Sequence, residues 1–121
     1  MSLTFGRPVR LRARAEFTVV QETGRRVATP YVTLLGLGNT LDRDRLGIIA
    51  SRRLGGAVVR NRAKRRLREL FRQTEPDQAA ARGARCMDVV AIPRRELIRA
   101  THTALQSVFQ NALDRLRRGA R

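Results

Sequence analysis

The sequence predicts an α+β fold, a single small domain in which helices pack on a mixed β-sheet. Three segments carry apolar residues at helical spacing, and short runs of β-branched and aliphatic residues lie between them. A length of 121 residues, 42% of them hydrophobic, suffices for one core but not for two ordinary domains. We therefore expect residues 1–121 to form one domain.

The chain is predicted to begin with an arm and a short helix. Residues 1–12 are basic and include a proline, which favours an extended arm. Residues 13–23 place Phe17 and Val20 at helical spacing, and Gly24 follows as a residue suited to leaving a helix.

Two strands are predicted next. Residues 31–37 are rich in β-branched, aromatic and aliphatic side chains, and residues 46–51 form a second apolar run. Because the stretch 39–45 between them is polar and turn-like, we expect the two strands to pair antiparallel. There is room for a further short strand near Val27.

A long amphipathic helix, a strand and a last helix complete the predicted fold. From Ala57 onward, apolar residues recur every three or four positions and fall within an arc of roughly 120°. Residues 86–92 indicate a strand that Pro93 terminates, residues 101–117 indicate a helix, and residues 118–121 indicate a frayed tail. A helix between two strands can make them parallel neighbours in one sheet.

The most informative feature is a concentration of positive charge. The chain has a net charge of +16, and residues 51–72 hold nine Arg or Lys side chains against one acid, Glu69, which is eight of the sixteen excess charges. A solvated helix face usually alternates in sign, whereas like charges this close repel one another. A polyanion would relieve that repulsion, and nucleic acid is the polyanion we expect.

Candidate groups for catalysis by the polypeptide are few. The single histidine, His102, lies near the start of the last helix and is expected to have a surface or capping role. Cys86 lies in an apolar run and is expected to be a buried thiol. Asp42 and Asp44 lie in an arginine-containing turn and are expected to form solvated salt pairs, not a metal site. No apolar run is long enough to span a bilayer and no signal core is present, so a cytoplasmic location without a membrane partner is expected.

One segment closely resembles a known family. Residues 56–69, Gly-Ala-Val-Val-Arg-Asn-Arg-Ala-Lys-Arg-Arg-Leu-Arg-Glu, resemble the arginine-asparagine-arginine motif of the bacterial ribonuclease P protein subunit. Residues 46–53 resemble the strand and basic pair that precede this motif, residues 12–17 resemble the first helix, and residues 88–94 resemble the later strand. The resemblance extends over roughly residues 9–117.

The resemblance implies a function and a set of partners. Members of this family bind a large catalytic RNA subunit, one protein to one RNA, and together they remove the 5′ leader of precursor tRNA by Mg²⁺-dependent hydrolysis. The RNA carries out the chemistry and is expected to hold most of the Mg²⁺. The family also implies the element order αβββαβα, with a left-handed crossover between parallel strands, as in a ribosomal-protein domain.

The resemblance also implies site residues. Contacts with the RNA subunit are expected from Arg52, Arg53, Arg60, Asn61, Arg62, Lys64, Arg65 and Arg68. Contacts with the single-stranded leader, in a cleft between the first helix and the sheet, are expected from Arg10, Arg12, Phe17 and Tyr31.

Two departures from the family pattern stand out. Many relatives carry a second aromatic residue one turn after the first, where this chain has Val20 and Gln21. The lysines that follow the serine in the family are Arg52 and Arg53 here, which keeps the charge but changes the geometry. Two alternatives remain open from sequence: a ribosomal or ribosome-assembly RNA-binding protein, and a sequence-specific DNA-binding module.

Overall fold

The computed structural model describes residues 10, 11, 14–78, 80, 81, 83 and 85–119. The predicted arm residues 1–9 and 12, and tail residues 120–121, lie outside this part of the chain. The described strands are β1 (Arg25–Ala28), β2 (Val32–Gly38), β3 (Arg45–Ile48) and β4 (Met87–Pro93). The described helices are α1 (Arg14–Thr23), α2 (Ala57–Arg72), α3 (Glu96–Arg99) and α4 (His102–Gly119).

The order α-β-β-β-α-β-α-α confirms the predicted α+β class, and β1 is the additional strand expected near Val27. Helix α3, of four residues, was not predicted because a single turn is too short to show helical periodicity. Helix α4 continues through Gly119, so a frayed tail can begin only after that residue.

The four described strands form one mixed sheet in the order β1-β2-β4-β3. Strand β2 pairs antiparallel with both β1 and β4, and β3 pairs parallel with β4, so that Ala91 faces Leu34 on one side and Ile48 on the other. The predicted antiparallel pairing of residues 31–37 with residues 46–51 is therefore wrong. After β3 the chain crosses over through α2, and β4 then lies between β2 and β3. Strands β3 and β4 are therefore the parallel pair that was predicted from the helix between them.

The free side of β3 is partly covered by the end of the arm. Arg10 forms a parallel bridge with Leu46, and the Leu11 amide donates a hydrogen bond to the Leu46 carbonyl oxygen at 2.9 Å. Residues 10 and 11 thereby extend the sheet beyond β3.

The two faces of the sheet bury different apolar clusters. The larger cluster lies under α2, α3 and α4 and includes Leu34, Val89, Leu67 and Phe109. The smaller cluster lies under α1 and contains Leu11, Val20, Leu35 and Val90 as its buried members. Side chains alternate between the faces along each strand, which is why Leu34 and Leu35 belong to different clusters.

The predicted solvated salt pairs are only half correct. Asp42 forms the expected exposed ion pair with Arg43. Asp44 is instead 1% exposed, accepts a hydrogen bond from the Met87 amide at 2.8 Å and pairs with Arg117 of α4. The prediction for Asp44 failed because its partner lies 73 residues further along the chain. Cys86 is buried as predicted, and burial raises the pKa of its thiol.

Candidate nucleic-acid interface

Helix α2 is held by one apolar face. Ala63, Leu67, Leu70 and Phe71 are at most 3% exposed and belong to the larger cluster. Their spacing of three and four residues leaves the basic side chains on the flanks and the outer side of the helix.

The turn before α2 places two further arginines at its start. Arg52–Leu54 forms a short 3₁₀ turn, and Gly55 follows with a φ of 149°. A side chain there would be strained, and its Cβ would lie 3.0 Å from that of Val59. The glycine thus lets the chain turn tightly into α2, with exposed Arg52 and Arg53 close to the first turn of the helix.

The predicted RNA-subunit contacts lie together on and beside α2, and each is exposed or half-buried: Arg52, Arg53, Arg60, Asn61, Arg62, Lys64, Arg65 and Arg68. Within the described part of the chain, none of these eight side chains makes an ion pair or a side-chain hydrogen bond. We call this set the α2 surface. Because its cations are unneutralised, the surface can bind anionic groups without first breaking an internal ion pair.

The one acid of α2 does not neutralise this surface. Glu69 accepts two hydrogen bonds from Arg72 at 2.7 Å, at the C-terminal end of the helix. Arg72 lowers the pKa of Glu69, and Glu69 in turn raises the pKa of Arg72. Glu69 also accepts a hydrogen bond from Gln73, so these partners all lie at this end of the helix, away from the first turns of α2.

Arg66 has a different role from its basic neighbours. Its guanidinium donates hydrogen bonds to the carbonyl oxygens of Leu97, Ile98 and Ala100, at 2.9, 3.0 and 2.7 Å. These carbonyls lie at the end of α3, so Arg66 caps that helix and ties it to α2. The sequence offered one signal for this role, since Arg66 flanks the apolar face of α2.

Of the four residues predicted to contact the leader, the structure describes Arg10, Phe17 and Tyr31, and it places Phe17 and Tyr31 against different apolar clusters. Phe17 projects from α1 and is half-buried against the smaller cluster. Leu37, Ile49 and Ile92 pack against the same cluster. Tyr31 is half-buried against the larger cluster. Arg12 lies outside the described residues.

Arg10 lies on the same side of the sheet as α2. Leu11 is buried in the smaller cluster, and neighbouring side chains of an extended segment point in opposite directions. Partial burial and, to a lesser extent, the positive charge of Arg10 lower the pKa of Arg68. Arg10 is therefore a neighbour of the α2 surface.

A polar network fixes α1, and with it Phe17, on the sheet. Arg45 donates to both carboxylate oxygens of Asp88, at 2.9 and 2.7 Å, and to Glu16 of α1 at 3.0 Å. Asp88 and, to a lesser extent, Glu16 raise the pKa of Arg45. Asn39 adds a fourth contact by donating to Asp88 at 2.8 Å.

The described residues contain no group of three or more His, Cys, Asp or Glu side chains that could hold a metal ion. No helix among them is long and apolar enough to cross a membrane. His102 is exposed at the first residue of α4. The fold and the surface define a small basic α+β protein with a cationic surface along one helix, which suits it to binding a polyanion.

Comparison with known proteins narrows this class to one family. The sequence model of the Ribonuclease P family matches residues 5–117. The ribonuclease P protein component of Thermotoga maritima is 37% identical over 97 residues, covering 80% of this chain and 79% of that protein. That of Salmonella arizonae is 34% identical over 111 residues, covering 91% and 88%. The solved structure of the ribonuclease P protein from Thermotoga maritima is similar at a TM-score of 0.74 and 32% identity, covering 88% of this chain and 96% of that one.

The chain belongs to the ribonuclease P protein family, which supplies the protein component of a ribonucleoprotein endoribonuclease. RNA binding and a part in tRNA processing follow from this membership. Membership also decides against the two alternatives that the sequence left open, a ribosomal or ribosome-assembly RNA-binding protein and a sequence-specific DNA-binding module.

Proposed function

We propose that the α2 surface binds the catalytic RNA subunit of ribonuclease P. The observation that carries this proposal is the row of cationic side chains on α2 that form no ion pair with any described residue, opposite a face that is buried in the core. Arginine suits this task because its planar guanidinium can bind a phosphate through two hydrogen bonds. Each phosphate that is neutralised releases condensed counterions, which favours binding at modest salt.

We further propose that the 5′ leader of precursor tRNA binds on the α1 side of the sheet. Phe17 supports this because its ring is only half-buried and lies among partly exposed apolar side chains, where a base could stack. Tyr31, Arg10 and Arg12 are expected from family resemblance alone, and Tyr31 packs against the other cluster. Phe17 is therefore the residue on which we would test leader binding first.

In this proposal the protein positions RNA and the RNA performs the hydrolysis. The described residues do not fit a protein-held Mg²⁺ site, so no catalytic step is assigned to a metal bound by this chain. Mg²⁺ would be held chiefly by the RNA, which supplies phosphate oxygens suited to it. One protein per RNA and a cytoplasmic location complete the proposal.

The test is cleavage of precursor tRNA by the cognate RNA subunit at a few mM Mg²⁺, with and without the protein. We expect the protein to raise the rate and the affinity for precursor over mature tRNA. The triple variant Arg60→Ala, Arg62→Ala, Arg65→Ala should retain the wild-type circular dichroism spectrum and lose most of this gain.

A matched variant controls for total charge. Arg25→Ala, Arg26→Ala, Arg118→Ala removes three other exposed arginines, two of them on strand β1 at the opposite edge of the sheet from β3. It should behave like wild type. Equal losses in both variants would show that net charge alone, not the α2 surface, promotes the reaction.

A further inference from the structure

The arm and α2 meet at the edge of the sheet formed by β3. The bridge between Arg10 and Leu46 fixes the arm backbone beside β3, and the buried side chain of Leu11 fixes which way each arm residue points. A shift of one residue would reverse both directions. Since Leu11 points toward α1, the side chain of Arg10 projects toward α2.

On that side, Arg10 lies within electrostatic range of Arg68 of α2. Partial burial and, to a lesser extent, the positive charge of Arg10 lower the pKa of Arg68, and neither side chain makes an ion pair or hydrogen bond with a described residue. Both residues keep enough exposed surface for an anion to reach them. Two like charges within this range repel one another, and an anion between them would relieve the repulsion.

We propose that Arg10 and Arg68 bind one phosphate group of the RNA backbone between them, so that the arm is part of the α2 surface. This inference rests on the proposed binding of the RNA subunit. It assigns Arg10 to that RNA, whereas family resemblance had suggested the leader. Paired guanidiniums can surround a phosphate with charge-assisted hydrogen bonds from two directions, which neither residue can do alone.

The test is a double-mutant cycle on binding to the RNA subunit, measured without tRNA and over a series of KCl concentrations. The proteins are wild type, Arg10→Ala, Arg68→Ala and the double variant. Arg26→Ala on strand β1 serves as a matched loss of one exposed charge. Circular dichroism and urea midpoints establish that each protein is folded, and Arg10→Gln and Arg68→Gln replace any alanine variant that is not.

Each single variant should weaken binding about tenfold, as loss of a charge-assisted hydrogen bond would. The double variant should weaken it clearly less than the product of the two single effects. Its slope of log affinity against log salt should fall by about 0.7–0.9, the value for one phosphate. Arg26→Ala should bind like wild type.

Three results would overturn the inference. Arg10→Ala could bind the RNA subunit like wild type and lose affinity only for leader-bearing precursor tRNA, which would return Arg10 to the leader. The two single effects could multiply, with the slope falling by about twice the value for one phosphate. If wild type itself does not bind the RNA subunit, the proposed function fails first and the inference fails with it.

Discussion

The position of Phe17 depends on a residue that has no side chain. A Cβ atom placed on Gly47 would lie 2.5 Å from Cε2 and 2.6 Å from Cζ of Phe17. These distances are too short for carbon atoms, so the ring rests directly on the backbone of β3.

Gly47→Ala should therefore displace the ring and destabilise the protein by about 1–3 kcal/mol, as overpacking does. Urea denaturation measures this loss, with Gly38→Ala as control because a Cβ there meets nothing within 4 Å. Adding Phe17→Ala should remove most of the cost of Gly47→Ala. A Gly47→Ala protein as stable as Gly38→Ala would show that the ring moves aside freely.

Asp44 provides a second test at the level of single residues. Its buried carboxylate accepts hydrogen bonds from Arg117 and from the Met87 amide, so α4, β4 and the loop before β3 meet there. Asp44→Ala leaves Arg117 without its ion-pair partner and the amide without its acceptor, and should cost about 3–5 kcal/mol. The control is Asp42→Ala, which removes an exposed carboxylate two residues away and should change the urea midpoint little. Equal midpoints for the two variants would contradict a stabilising role for the buried pair.

At the level of elements, α2 combines an outward binding surface with an inward attachment to α3. Arg65 and Arg66 are sequence neighbours, yet Arg65 is exposed and Arg66 caps α3 through three carbonyl oxygens. Arg66→Ala should lower the free energy of unfolding by about 2 kcal/mol, because hydrogen bonds from a charged donor are lost. Arg66→Lys should recover less than half of this, since an ammonium cannot span the carbonyls as the planar fork does.

Arg65→Ala is the matched control for Arg66→Ala. It should not lower the thermal midpoint but should weaken RNA binding, while Arg65→Lys should recover most of the affinity. The opposite pattern, with Arg65 setting stability and Arg66 setting affinity, would refute the division of roles within α2.

Local sequence patterns were sufficient to predict single elements of this fold but not how the elements are arranged. Helix α2 was predictable because its apolar stripe is continuous within one segment, and its outward cations follow from the same periodicity. The order of the strands in the sheet was not predictable in this way. Strand β4 lies between β2 and β3 although it begins about forty residues after β3 ends, and local patterns carry no information on such a long-range insertion. Asp44 was misjudged for the same reason, since its polar neighbours suggested solvent and its partner is remote. The direction of the Arg10 side chain could not be predicted either, because it depends on the register of the arm beside β3, which only the bridge to Leu46 reveals.

For the molecule as a whole, the net charge of +16 should give salt two opposite effects. The free protein bears unrelieved repulsion among its cations, so screening should stabilise it. The complex with RNA depends on the same charges, so screening should weaken it. Raising KCl should thus increase the thermal midpoint of the free protein while it decreases the affinity for the RNA subunit.

The seven cations of the α2 surface determine how strongly salt should weaken binding to the RNA subunit. If each neutralises one phosphate, the slope of log affinity against log salt should be about −5 to −6, which is a loss of about three orders of magnitude between 50 and 200 mM. The triple variant Arg60→Ala, Arg62→Ala, Arg65→Ala should reduce that slope by about 2–3.

The same triple variant should melt at a higher temperature than wild type at low salt, because three of the repelling charges have gone. Filter-binding titrations and thermal melts in one KCl series measure both. A triple variant with an unchanged slope would show that the phosphate contacts lie elsewhere, and one that melts lower would show that these arginines stabilise the fold.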